Sequence, residues 1–137
     1  MFSYNVYNIK LHTTLGGTYK MSDNLSDNQC EACHVDATRL TQEECDHYLS
    51  SLSGWEVYND NNILKLKKKF TFKNYRQAWQ FVDTISTLAE EAFHHPTLIL
   101  SWGKVNVCWW SHSIKGLHKN DFIMAKKTEN AFIEKDQ

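Results

Sequence analysis

From about Leu40 onward, apolar residues recur at helix or strand spacing, and that rhythm divides the chain into alternating elements. Thr41 followed by Glu44 is a capping-box signature, and Leu40 and Cys45 suit a hydrophobic staple across it. Cys45, Tyr48, Leu49 and Leu52 continue at helical spacing, which predicts a first helix over 42–53, ended by Ser53-Gly54. A short strand is expected over 55–58, with the Asn/Asp run at 59–62 as its turn. Leu64, Leu66, Phe70 and Phe72 then alternate with Lys65, Lys67, Lys69 and Thr71, a strand with one apolar face. Lys68 interrupts that face, so a bulge or an edge position is expected there. Asn74 is a candidate cap for the clearest helix. Its stripe is Tyr75, Ala78, Phe81, Val82, Ile85, Leu88, Ala89 and Ala92. Pro96 forces an end and biases His95 toward extended backbone. "TLILSW", Gly103-Lys104 and "VNVCWW" read as a second hairpin. A last helix starts near Leu117, with Phe122, Ala125, Thr128, Ala131 and Phe132 as its stripe. His118 makes a mediocre cap for it, while Asp121 in its first turn suits the helix dipole.

The order α-β-β-α-β-β-α predicts an α+β fold, a four-stranded antiparallel sheet covered on one face by helices. Residues 1–37 are polar and aperiodic, with Gly16-Gly17 and several Asn and Ser. They are expected to form a flexible or loosely packed arm before a domain at 38–137. Met21 offers an alternative start, which would make residues 1–20 an upstream extension.

Composition narrows the function classes. The 137 residues carry a net charge of −1, so no basic excess exists to neutralise phosphates, and a nucleic-acid partner is not expected. No apolar run approaches the length of a membrane span, so no membrane partner is expected either. The N-terminus lacks a positive start followed by an apolar block, which points to a cytoplasmic protein with its four cysteines reduced.

The chemistry concentrates between residues 90 and 121. Glu90, His94, His95, His112, His118 and Asp121 fall there, four of the seven histidines among them. His94 and His95 stand where a helix stops, and His112 at the end of a strand, positions from which scaffolds present reactive groups. Imidazole gives or takes protons near neutral pH, so three around one pocket suit general acid–base catalysis. A zinc site from the three histidines and Glu90 is the competing reading. Adjacent histidines point to opposite faces in extended chain, and no H-E-x-x-H is present. For each histidine alone, packing or surface duty is the plain alternative. "CEACH" at 30–34 has CxxC and haem-attachment spacing but no second cysteine pair and no export signal; free thiols are the simpler reading. The lysines at 65, 67, 68 and 69 read as a solvated strand face. Trp102, Trp109 and Trp110 could stack on a flat ring or serve packing.

Glu90, His94-His95-Pro96, Trp102, His112 and Asp121, at these spacings, resemble the signature of the pterin-4a-carbinolamine dehydratases. "GW" at 54–55, "FTFKNYRQAWQFV" at 70–82 and "GLHKNDF" at 116–122 are similar to segments of that family, and the resemblance covers about residues 38–134. It implies helices on one face of a four-stranded antiparallel sheet. It implies dehydration of 4a-hydroxytetrahydropterin to quinonoid dihydropterin, recycling the cofactor of aromatic amino acid hydroxylases. It also implies no metal, no bound cofactor, and a homodimer or homotetramer. Carried over, His94, His95 and His112 would be the catalytic set, with His94 and His112 as the acid–base pair and His95 binding and orienting the pterin or serving its other face. Glu90 would hold an imidazole or contact the ring, and Pro96, Ser111 and Ser113 would line the pocket. Asp121 would anchor or orient His112. Phe93, where several relatives are polar or acidic, and His118, where a Ser or Thr cap is common, depart from the pattern. Animal relatives also serve as dimerisation cofactors of a transcription regulator, so a non-catalytic module on the same fold is the alternative from another class.

Overall fold

The structure is a computed structural model that describes residues 25 and 37–135. Three helices and four strands follow in the order α1 (Gln42–Leu49), β1 (Glu56–Asp60), β2 (Ile63–Thr71), α2 (Tyr75–Glu91), β3 (Thr97–Ser101), β4 (Lys104–Trp109) and α3 (Lys119–Lys135). The strands form one antiparallel sheet, ordered β1-β2-β4-β3. The expected α+β architecture is therefore the observed one.

Local chemistry explains the boundaries. The Thr41 hydroxyl accepts from Glu44 N–H at 3.3 Å, and the Glu44 carboxylate accepts from Thr41 N–H at 2.8 Å, a complete capping box. α1 stops at Leu49, short of the expected residue 53. The hydroxyls of Ser50 and Ser51 donate to the carbonyls of His47 and Tyr48, which gives the backbone an alternative to further helix. β1 runs to Asp60, so the turn is only Asn61-Asn62, with φ of 51° and 65°. Asn tolerates this left-handed region, which a two-residue hairpin of matching twist requires. At the other hairpin Gly103 has φ of 65°, and a Cβ there would lie 2.9 Å from the Phe72 carbonyl oxygen. Only glycine fits that approach without displacement.

The alternation of β2 and β4 turns Leu66, Phe70, Val105, Val107 and Trp109 to the helical side, where all are buried. Phe70, Phe72, Phe81 and Phe132 pack there with ring centroids 4.9–5.9 Å apart. α2 buries Ala78, Phe81, Ile85 and Ala89. Tyr75, expected in the same stripe, is 47% exposed, because helical geometry puts it on the flank of that face. Lys68 needs no bulge, for the β2–β4 register is unbroken through it. β1 pairing ends at Lys67, so among the described residues no strand pairs with β2 on that side from Lys68 on. The Lys68 ammonium reaches the Ser53 carbonyl and the buried carboxylate of Glu129, and lies over the Phe70 ring.

Leu25 is buried and belongs to the core cluster. Apart from residue 37, the rest of the expected arm, with Cys30, Cys33 and the alternative start at Met21, lies outside the described residues. No described helix is long and apolar enough to cross a membrane.

Candidate active site

α2 ends in a reversal that sets the two adjacent histidines apart. The His94 N–H donates to the Ala89 carbonyl at 3.1 Å and the Phe93 N–H to that of Glu90 at 3.2 Å, the paired bonds of a Schellman turn. Phe93 holds the left-handed position of that turn, with φ of 50°. After it, His94 turns inward and is only 6% exposed. The His95 side chain stays 58% exposed.

β4 supplies the second half. Trp109, the last residue of β4, points into the core, while Trp110, just past the strand, is only partly buried and lies against Lys65. Each tryptophan carries one imidazole. His94 stacks on Trp109 at 5.6 Å between centroids and an interplanar angle of 10°. His112 stacks on Trp110 at 3.9 Å and 25°. Behind Trp110, the Lys65 ammonium sits 4.6 Å from the indole centroid and pairs with Asp60 at 2.8 Å.

His112 is presented by a tight loop after β4, closed by the Ser111–Gly116 bridge with N–H···O distances of 2.9 and 3.3 Å. Arg39 pins this loop from outside. Its guanidinium donates to the Ile114 carbonyl, and its methylenes lie where a Cβ on Gly116 would be, at 3.0–3.2 Å.

A buried carboxylate ties these pieces together. Asp121, in the first turn of α3, accepts from His94 Nε2 at 2.7 Å, Ser111 Oγ at 2.9 Å and the His118 N–H at 2.8 Å. A carboxylate only accepts, so this contact assigns the proton to His94 Nε2 and fixes the ring. The expected partner of Asp121 was His112; the structure gives it His94 instead. His118 caps α3, its Nδ1 accepting from Asn120 N–H at 3.2 Å. Glu90 does hold an imidazole, but that of His95, at 2.9 Å, because the Schellman turn has carried His94 away from it.

These elements form an open cleft of about 370 Å³ lined by Phe93, His94, His95, Ser111, His112 and Ser113. That volume lies in the range that holds a small ligand. Three imidazoles and two serine side chains thus share one cleft with a single aromatic wall. Glu90 and Asp121 support this lining rather than belong to it, and Pro96 is half-buried beside it. Trp102, part of the sequence signature, is 72% exposed in the β3–β4 turn, at the opposite end of the hairpin from the cleft. Partial burial lowers the His112 pKa below the ordinary imidazole value, and the neighbouring His94 lowers it further. Lys65 and His95 act in the same direction and Asp121 opposes. Among the described residues, no three His, Cys, Asp or Glu side chains are arranged to hold a metal ion.

One contributor, Phe93, was not singled out from the sequence as a site residue. It could have been, as a bulky residue just past a helix end, where glycine is usual.

The fold and cleft together define a class: a small α+β protein with a histidine-lined pocket suited to moving protons on a compact ligand. Residues 38–131 match the family model described as pterin 4 alpha carbinolamine dehydratase, and the chain belongs to that family. A Photobacterium profundum protein, provisionally named pterin-4-alpha-carbinolamine dehydratase, is 55% identical over 106 residues, 77% of this chain and 95% of its own. A Vibrio cholerae protein with the same provisional name is 52% identical over 105 residues, 77% of this chain and 96% of its own. Among solved structures, a transcriptional coactivator/pterin dehydratase from Brucella melitensis superposes with a TM-score of 0.63 at 29% identity, covering 69% of this chain and 98% of that one. A pterin dehydratase-like RuBisCO assembly factor of the alpha-carboxysome shares the fold, with a TM-score of 0.50 at 21% identity over 58% of this chain and 89% of that one.

Proposed function

We propose that the protein dehydrates 4a-hydroxytetrahydropterin to quinonoid dihydropterin by histidine acid–base chemistry. The observation that carries this reading is the meeting of His94, His95 and His112 on one cleft in a chain of this family. The reaction breaks the C4a–O bond, delivers a proton to the departing hydroxyl and removes the proton on N5, so that an N5=C4a double bond and one water form. His112, with its lowered pKa, is neutral at working pH and suits acceptance of the N5 proton. His94, fixed by Asp121 and Trp109, is its acid–base partner on the leaving hydroxyl. His95, braced by Glu90, orients the pterin, and Ser111 and Ser113 offer hydroxyls at the cleft wall. Each proton transfer contributes roughly 10²–10⁴-fold. Neither a metal ion nor a bound cofactor has a part in this scheme, and stoichiometric zinc in purified protein would contradict it.

In this role the protein regenerates the pterin consumed by an aromatic amino acid hydroxylase. A homodimer or homotetramer is part of the proposal. It is supported by the exposed apolar side chains Tyr75, Trp79, Ile99 and Ile133 and by the place of β3 at the edge of the sheet among the described residues, and light scattering tests it.

The direct test of the function is stopped-flow decay of a 4a-hydroxytetrahydropterin with and without protein. The wild type accelerates it, and His94→Ala or His112→Ala lowers the catalysed rate at least about tenfold with the fold retained by circular dichroism. Wild-type rates in both variants would end the catalytic assignment. No acceleration by the wild type would instead favour a non-catalytic interaction module.

A further inference from the structure

The residue at the left-handed position of the α2 reversal is Phe93, with φ of 50°. Glycine is the residue this geometry favours, because any Cβ there crowds the neighbouring carbonyl. A phenylalanine in this position is normally held by packing, yet Phe93 is 85% exposed. It carries backbone strain and a solvated hydrocarbon ring together, at the rim of a cleft whose other lining residues are all polar: three histidines and two serines. Strained residues of this kind persist at ligand-binding positions, where the bound state compensates them.

We propose that Phe93 contacts the substrate and sets its specificity, its ring packing on the flat face of the heterocycle held by His94, His95 and His112. This inference rests on the functional reading above. Ligand binding removes the exposed ring from water and offsets the strained turn, while the imidazoles address the polar edge. A flat fused-ring substrate gains from such a wall, whereas a small polar ligand engages the imidazoles alone. The reversal itself needs only a residue that accepts positive φ, so its architecture and the ring's contribution are separable.

The test uses full-length wild type, Phe93→Gly and Phe93→Tyr. Thermal unfolding, equilibrium binding of 7,8-dihydropterin and stopped-flow decay of the 4a-hydroxytetrahydropterin are measured on each. Phe93→Gly relieves the positive φ, so its Tm rises by about 3 °C. Its Kd and KM rise about threefold to tenfold, the loss expected for one aromatic stacking contact, and KM changes more than kcat. Phe93→Tyr keeps wild-type affinity. A more stable protein that binds less tightly is a pairing that a purely structural helix cap cannot produce. Wild-type Kd in Phe93→Gly, with the wild type itself active, overturns this inference and leaves the functional reading standing. So does a change confined to oligomeric state, measured by sedimentation. A wild type that neither binds the pterin nor speeds its dehydration overturns both.

Discussion

Replacing Asp121 by Asn tests the carboxylate that organises the cleft. The side chain is fully buried and accepts three hydrogen bonds, from His94 Nε2, Ser111 Oγ and the His118 N–H. Asn has almost the same shape but only one accepting oxygen. If that oxygen faces Ser111 and His118, the new NH₂ confronts His94 Nε2 and forces the opposite tautomer. If it faces His94, the His118 backbone N–H is left buried against a second donor. Either arrangement loses at least one hydrogen bond to an ionised group, about 1.5–3 kcal/mol. Loss of the anion in the first turn of α3 adds about 0.5 kcal/mol. A total of about 2–3.5 kcal/mol corresponds to a fall in Tm of about 10 °C for a domain of this size. Catalysis suffers separately, because a rotated or re-tautomerised His94 no longer presents the required atom. The assay is urea unfolding in parallel with stopped-flow dehydration, both well below the Tm of the variant. The expected outcome is a midpoint shift matching that loss, and a rate reduced at least about tenfold in the still-folded protein. Unchanged stability together with an unchanged rate in the Asp121→Asn variant would refute the geometry on which the site is built.

His112 and Gly103 each carry further expected outcomes. His112 titrates below the ordinary imidazole value, and only its neutral form takes a proton. The acid limb of kcat/KM therefore falls below about pH 6.5. The same depression means that folding stability associated with His112 is present above about pH 6.5 and lost as pH falls through the lower folded value. Trp110→Ala removes part of the burial and Lys65→Gln one neighbouring charge, so each moves the acid limb upward, Trp110→Ala by more; a limb that stays put in both shows that neither tunes His112. Gly103→Ala combines positive φ with a Cβ 2.9 Å from the Phe72 carbonyl oxygen and destabilises by about 1–2 kcal/mol or more in urea unfolding; a neutral result would mean that the turn relaxes freely.

Much of the fold was legible because local and global preferences agree. Thr41 and Glu44 cap α1 as their spacing implies, Asn74 caps α2, and the alternation of β2 places its apolar face on the helices. Where local rules compete, the reading was less sharp. The serines after Leu49 end α1 early by binding its carbonyls, and Lys68 satisfies its charge on Glu129 of α3, a partner no strand pattern reveals. The cleft residues His94, His95, Ser111, His112 and Ser113 were all named from the chain, but their supports were paired differently. Glu90 was expected to hold an imidazole or contact the ring, and the turn at Phe93 makes that imidazole the one of His95. Asp121 was given to His112, nine residues away, and holds His94, twenty-seven away, because α3 packs against the end of α2. Such long-range pairings depend on tertiary packing, to which sequence spacing is blind.

The central claim is that three imidazoles act on one bound heterocycle, and imidazole-detected NMR of the histidine rings during titration with 7,8-dihydropterin tests it most directly. The account predicts that the ring signals of His94, His95 and His112 all shift with one common Kd while that of His47, on α1, stays fixed. If any of the three keeps its free-state position at saturation, or if they follow different binding curves, the shared site does not exist as described.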